Sequence, residues 1–215
     1  MTLKEFAQNL IIGINRFSPK PILHPFRMTG PEKKLFDATV GLSSHYLEFG
    51  MGGSTFRSLG KSEAEICSVD SCKEWMNMMK QYLFIRRMEK TRLNLIHVDI
   101  GPTGEWGRPI GEESRDLFPS YSAKVFEEIE KEKIDTVLVD GRFRVSCVLK
   151  TIMECHSNER LNILFHDFHR EQYHIILKYL DEVSKEDTLV LLKLKEEIDF
   201  QELQADYDRY KYDSD

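Results

Sequence analysis

Four aspartates each follow a short apolar run: Asp70 after E-I-C-S-V, Asp99 after L-N-L-I-H-V, Asp140 after T-V-L-V, and Asp167 one residue after N-I-L-F. A glycine-rich stretch, Glu48-Phe49-Gly50-Met51-Gly52-Gly53-Ser54-Thr55, follows a fifth run of the same kind. Glycine lets a ligand approach the main chain closely, and Ser54 or Thr55 can cap a helix that starts there. Asp70 lies twenty residues beyond Gly50, the distance at which an acid accepts hydrogen bonds from a ribose diol in dinucleotide sites. Helix capping alone explains one aspartate at a strand end, but not four in succession.

These groups need elements that bring them to one edge. Strand-length apolar runs occur at His45–Phe49, Glu65–Val69, Leu93–Ile100, Thr136–Val139, Leu161–Phe165 and Thr188–Leu194. Between them, Cys72–Met88, Tyr121–Lys131, Phe143–Cys155 and Arg170–Val183 carry helical spacing. Strands alternating with helices predict an α/β fold, a doubly wound and mostly parallel sheet covered on both faces. In such a sheet ligands bind beyond the carboxyl ends of the strands, where the acids lie. The expected organisation is a helical arm (Met1–Phe17) and Pro-rich connector over residues 1–31, an α/β domain over 32–199 beginning with a helix at Glu32–Val40, and an acidic segment over 200–215 that forms a short helix and frays.

Composition narrows the partners. The 215 residues include 30 basic and 36 acidic side chains, a net charge of −6, which argues against nucleic acid as the partner. The cysteines Cys67, Cys72, Cys147 and Cys155 have no zinc-site spacing and read as thiols in a reducing, cytoplasmic setting. The apolar run Leu10–Ile14 is too short for a membrane span.

The segment E-F-G-M-G-G-S-T followed by Asp70 resembles the first motifs of the class I S-adenosylmethionine-dependent methyltransferases, over about Tyr46–Leu194. That resemblance implies a Rossmann-like methyltransferase fold and S-adenosylmethionine as cofactor. It implies cofactor contacts at Glu48, Gly50, Gly52, Gly53, Ser54 and Asp70, with Asp99 near the adenine. L-V-D-G-R-F-R with N-I-L-F-H-D-F is similar to the metal-assisted sugar and catechol O-methyltransferases. D-I-G-P-T-G-E-W-G is similar to a bacterial group of methyltransferase-like proteins. In the metal-assisted enzymes the positions of Asp140 and Asp167 hold a magnesium ion, and His166 stands where an acid is common, so the resemblance implies Mg²⁺ or Mn²⁺ at Asp140 and Asp167 here.

The resemblance therefore implies methyl transfer to a hydroxyl of a small molecule or sugar, with Asp140, His166 and Asp167 as the catalytic group. His166 is either a ligand to a softer metal or a general base. Arg142 and Arg144, at an expected helix start, either bind an anionic acceptor such as a sugar-nucleotide phosphate or pair with nearby acids. Trp106 and Tyr121 either stack on a ligand ring or belong to the core. Two other readings stay open: a cofactor-binding scaffold without catalysis, and a nicotinamide-dependent oxidoreductase, whose G-x-G-x-x-G spacing fails at Thr55.

Overall fold

A computed structural model describes residues 13–20 and 26–215. The expected N-terminal helix falls mostly outside the described residues, with 13–17 helical, and so does the middle of the Pro-rich connector. Seven strands form one sheet: β1 His45–Phe49, β2 Glu65–Asp70, β3 Leu93–His97, β4 Thr136–Val139, β5 Asn162–Phe165, β6 Leu180–Glu186 and β7 Leu189–Leu194. Their order is β3-β2-β1-β4-β5-β7-β6, with β7 antiparallel to both neighbours and the other pairings parallel. The order reverses between β1 and β4, so their carboxyl ends open the crevice where such sheets bind ligands.

The alternation of side chains along the strands builds two cores. Tyr46, Ile66, Leu138 and Leu164 face one side, where α1 (Gly30–Val40), α2 (Gly53–Lys61), α3 (Lys73–Met79) and α4 (Leu83–Met88) bury Phe36, Phe56, Met76 and Ile85. Phe49, Val69, Val137, Val139 and Phe165 face the other side. There they meet α5 (Ser120–Ala123), α6 (Val125–Glu128), α7 (Arg144–Cys155) and α8 (Phe200–Tyr210). Nine of the twelve residues of α7 are buried, because α8 covers the face that the sheet does not.

Helical spacing misleads at Arg170–Val183. A 3₁₀ segment at Glu171–Lys178 leads instead into β6, whose residues after Leu180 are mostly exposed. An edge strand buries little, so its polar sequence lacks the apolar alternation of a half-buried strand, and pairing with β7 decides its conformation. Asp187, with φ 48°, turns the two-residue hairpin between them. Cys72–Met88 is likewise two helices, broken so that Tyr82 packs edge-on against Phe56 at 5.0 Å. Tyr121–Lys131 also divides, into α5, α6 and a 3₁₀ turn.

The C-terminal segment is part of the same body rather than a frayed end. Leu203 and Tyr207 enter the second core, and Asp206 accepts a hydrogen bond from Tyr179 at 2.7 Å. Beyond the helix, Ser214 accepts from the Phe143 amide at 3.4 Å, and Asp215 pairs with Arg108 at 2.6 Å. All four cysteines are free. No helix among the described residues is long and apolar enough to cross a membrane.

Candidate active site

The glycine turn joins β1 to α2 at the reversal of strand order. Gly50 has φ +103°, and a methyl group there would lie 2.7 Å from the Gly141 nitrogen and 2.8 Å from its Cα. The bare Cα at 50 therefore lets the β1 and β4 ends pass each other, and that clearance is filled by protein backbone rather than ligand. Gly52 caps α2, and its N–H donates to Thr55 Oγ1 at 2.9 Å. Thr55 in turn donates to Glu48, which also accepts from Ser68 at 2.6 Å and Tyr46 at 3.0 Å. Burial pushes the Glu48 carboxyl up to about 7 against the pull of these hydroxyls and that of Ser54. Glu48 is fully buried, so it braces the turn from beneath. The opening N–H groups of α2, from Gly53 and Ser54, have no helical partner and can face an anionic or polar ligand.

Asp70 ties this turn to β2. Its Oδ2 accepts from the Met51 amide at 3.1 Å and its Oδ1 from the Cys72 amide at 2.8 Å. Burial raises its pKa in spite of those bonds. A carboxylate has about four acceptor sites, so capacity remains for a ribose diol. Two residues outside the sequence candidates complete the surroundings. Trp75 donates its indole N–H to the Met51 carbonyl at 2.7 Å and lies beside Gly52. Gly107, at φ +71°, brings the loop after β3 over Asp70: a methyl there would lie 3.0 Å from Ser71 Oγ and 3.9 Å from Asp70 Oδ1. The glycines of G-E-W-G were the available signal for that approach. Asp99 is exposed and accepts from the Gly101 amide at 2.9 Å, shaping the same loop.

At the ends of β4 and β5 the predicted trio converges. His166 Nδ1 lies 3.0 Å from Asp140 Oδ1 and 3.8 Å from Asp167 Oδ1. Its Nε2 lies 3.6 Å from Glu32 Oε1, a residue that sequence reading did not connect to the site. Glu32 sits in the capping box of α1 and accepts from both the amide and the hydroxyl of Thr188, at 2.9 and 2.7 Å. Burial opposes its charge, but these bonds and His166 bring its pKa down to about 2. Burial also opposes the imidazolium of His166; the Asp140 hydrogen bond and the three carboxylates outweigh it, so its pKa rises. Asp140 shifts the other way: burial is overcome by His166, Arg144 and Arg142, and its pKa falls.

The guanidinium of Arg144 lies between the two aspartates. Its Nη2 is 3.2 Å from Asp140 Oδ1 and 3.2 Å from Asp167 Oδ2, while Nη1 donates to the His166 carbonyl at 2.6 Å and Nε to the Gly141 carbonyl at 3.0 Å. The donor set expected to hold Mg²⁺ or Mn²⁺ at Asp140 and Asp167 is thus already matched to a buried organic cation. A divalent ion would have to evict that guanidinium, so the residues do not fit a metal. Among the described residues no group of three or more His, Cys, Asp or Glu side chains is placed to hold one. Arg144 is equally committed with respect to an acceptor: it is 4% exposed and serves the pairing alternative.

Arg142 takes the other course, and Phe143 separates them. Phe143 adopts a left-handed conformation, φ 53°, which disfavours a bulky residue by about 1–2 kcal/mol. Its ring is held 5.4 Å from both Phe118 and Tyr121, which places Tyr121 in the core. Arg144 turns inward, and Arg142 lines a cavity of about 480 Å³ with Trp106, Arg108 and Arg170.

No protein-family model matches the chain, and no curated protein matches it in sequence. Solved structures do. A methyltransferase-like protein from Silicibacter pomeroyi superposes with a TM-score of 0.76 at 26% identity, over 88% of this chain and 98% of that one. An O-methyltransferase from Bacillus cereus, solved in complex with S-adenosylhomocysteine, matches at a TM-score of 0.56 and 12% identity, over 89% and 90%. Cofactor-bound Rv0187 from MTB matches at 0.58 and 11%, over 91% and 92%. The chain has the class I S-adenosylmethionine-dependent methyltransferase fold.

Proposed function

We propose that this protein transfers the methyl group of S-adenosylmethionine to a hydroxyl of a small-molecule acceptor without help from a metal ion. The observation that carries the reading is the coupling of Asp70 to the Met51 amide. It sets a nucleoside-binding carboxylate against the glycine turn at the reversal of strand order. The Bacillus cereus structure holds the product form of the same cofactor on the same fold, which supports the choice. When bound, the cofactor supplies an electrophilic methyl on a sulfonium.

The chain supplies position and charge. The turn Gly50–Gly53 with Ser54 holds the amino-acid end of the cofactor, Asp70 the ribose, and the loop at Asp99 borders the adenine. Asp140, with 31% of its side chain exposed, is the member of the acid–base cluster most open to an acceptor. It accepts a hydrogen bond from the acceptor hydroxyl and orients it in line with the methyl. His166 and Arg144 hold Asp140 ionised, so it orients well and is a weak base. Stronger proton acceptance falls to His166, which must first lose its own proton. Asp167 positions Arg144 and Arg170, the latter at 2.8 Å.

A crystal structure with S-adenosylhomocysteine tests this directly. The reading requires the cofactor sulfur to face Asp140 across the gap of one acceptor atom. A sulfur pointing away from the β4 end would remove the acceptor site and leave a cofactor-binding scaffold.

A further inference from the structure

We propose that the acceptor carries an oxyanion, a phosphate or a carboxylate, attached to a ring, and that Arg142 seats it in the cavity shared with Arg108, Arg170 and Trp106. The site rests on the methyltransferase reading only for the word acceptor; the anion pocket stands on its own geometry.

Three guanidinium groups line one cavity of about 480 Å³ in a chain whose net charge is −6. Two of them have carboxylate partners: Arg108 with Asp215 at 2.6 Å, and Arg170 with Asp167 at 2.8 Å. Arg142 has none among the described residues, and its Nε is buried without a hydrogen-bond partner. Burial, Arg144 and Arg108 disfavour its charge more than Tyr121 and Tyr173 favour it. A half-buried guanidinium whose buried Nε lacks an acceptor costs free energy that a partner would recover. An oxyanion from outside would supply both the charge and the acceptors, since guanidinium matches phosphate and carboxylate with paired N–H groups.

The place is right for an acceptor. Arg142 follows β4 two residues after Asp140, and Arg170 follows β5 three residues after Asp167. The loop after β3 brings Trp106 and Arg108 across from the cofactor side through Gly107, which lies against Asp70 and Ser71. Trp106 is 64% exposed and adopts φ 62°, with the Arg27 guanidinium 4.8 Å from its ring centroid. Beside that cation, the exposed remainder of the indole offers a surface on which a ring of the ligand can stack.

Isothermal calorimetry on the full chain tests the proposal, with phenyl phosphate and benzoate as probes and S-adenosylhomocysteine titrated in parallel. The expected result is saturable binding of at least one probe, at least tenfold weaker in Arg142→Gln, with cofactor affinity unchanged. The tighter probe tells phosphate from carboxylate. Trp106→Ala, on an exposed side chain, guards against misfolding of the first variant: it should weaken phenyl phosphate several-fold and leave inorganic phosphate unchanged. Absence of binding by both probes, or equal binding by wild type and Arg142→Gln, overturns the anion pocket while intact cofactor binding keeps the methyltransferase reading. Arg142-dependent probe binding without cofactor binding does the reverse.

Discussion

Replacing Arg144 with methionine removes one charge and leaves the chain length of the side chain nearly intact. In the wild type the guanidinium is 4% exposed and lies 3.2 Å from a carboxylate oxygen of each of Asp140 and Asp167. Without it Asp140 is left with His166 and the more distant Arg142, and Asp167 with His166 and Arg170, while Glu32 adds a third carboxylate to the cluster. Removing one partner of a buried ion pair destabilises by about 3–5 kcal/mol, because the remaining charge is buried and uncompensated. At about 2–4 °C per kcal/mol for a chain of this size, the melting temperature should fall by about 6–20 °C. The loss should shrink as pH drops and the carboxylates protonate. Thermal unfolding followed by circular dichroism, with and without chelator, reads both effects. Wild type should be indifferent to chelator, whereas millimolar Mn²⁺ should restore part of the loss in R144M by replacing the missing cation. A melting temperature for R144M within about 2 °C of wild type, or a wild type destabilised by chelator, would refute the assignment of Arg144 as the cation of this site.

Other perturbations test other parts. Asp70→Ala should fold and bind S-adenosylhomocysteine about 10- to 150-fold more weakly, as expected for loss of a charge-assisted bond of about 1.5–3 kcal/mol; unchanged calorimetric affinity would remove Asp70 from the ribose site. Gly50→Ala places a methyl group 2.7 Å from the Gly141 nitrogen at φ +103°. It should cost about 2–5 kcal/mol in urea unfolding, the combined effect of overpacking and left-handed strain. The raised pKa of His166 stabilises the fold most below its ordinary value of about 6.5, and the benefit is lost as pH rises through the folded-state value. The stability gap between wild type and His166→Gln should therefore narrow above neutral pH, and a gap that widens would contradict the direction of the shift.

Much of this arrangement was legible in the sequence where burial is strong. The runs H-Y-L-E-F and T-V-L-V are central strands, nearly all of whose residues are buried, so their apolar content marked them directly. The acids at the strand ends followed from those boundaries. β6 was not legible, because L-D-E-V-S-K-E is held by pairing at an edge rather than by burial. Arg142 and Arg144 look alike in sequence and part company only because Phe143 adopts a left-handed turn. Two acids at adjacent strand ends need a cation, and a guanidinium from α7 lies between them, a placement that depends on the same turn and is not written in the local sequence. Glu32 reaches His166 across the fold, a contact that no local pattern announces.

The glycine turn and Asp70 are proposed to bind S-adenosylmethionine. A calorimetric comparison of S-adenosylmethionine, S-adenosylhomocysteine and NAD on the wild-type chain tests this most directly. The structure predicts saturable one-to-one binding of the first two and none of NAD. Binding of NAD, or of none of the three, would contradict it.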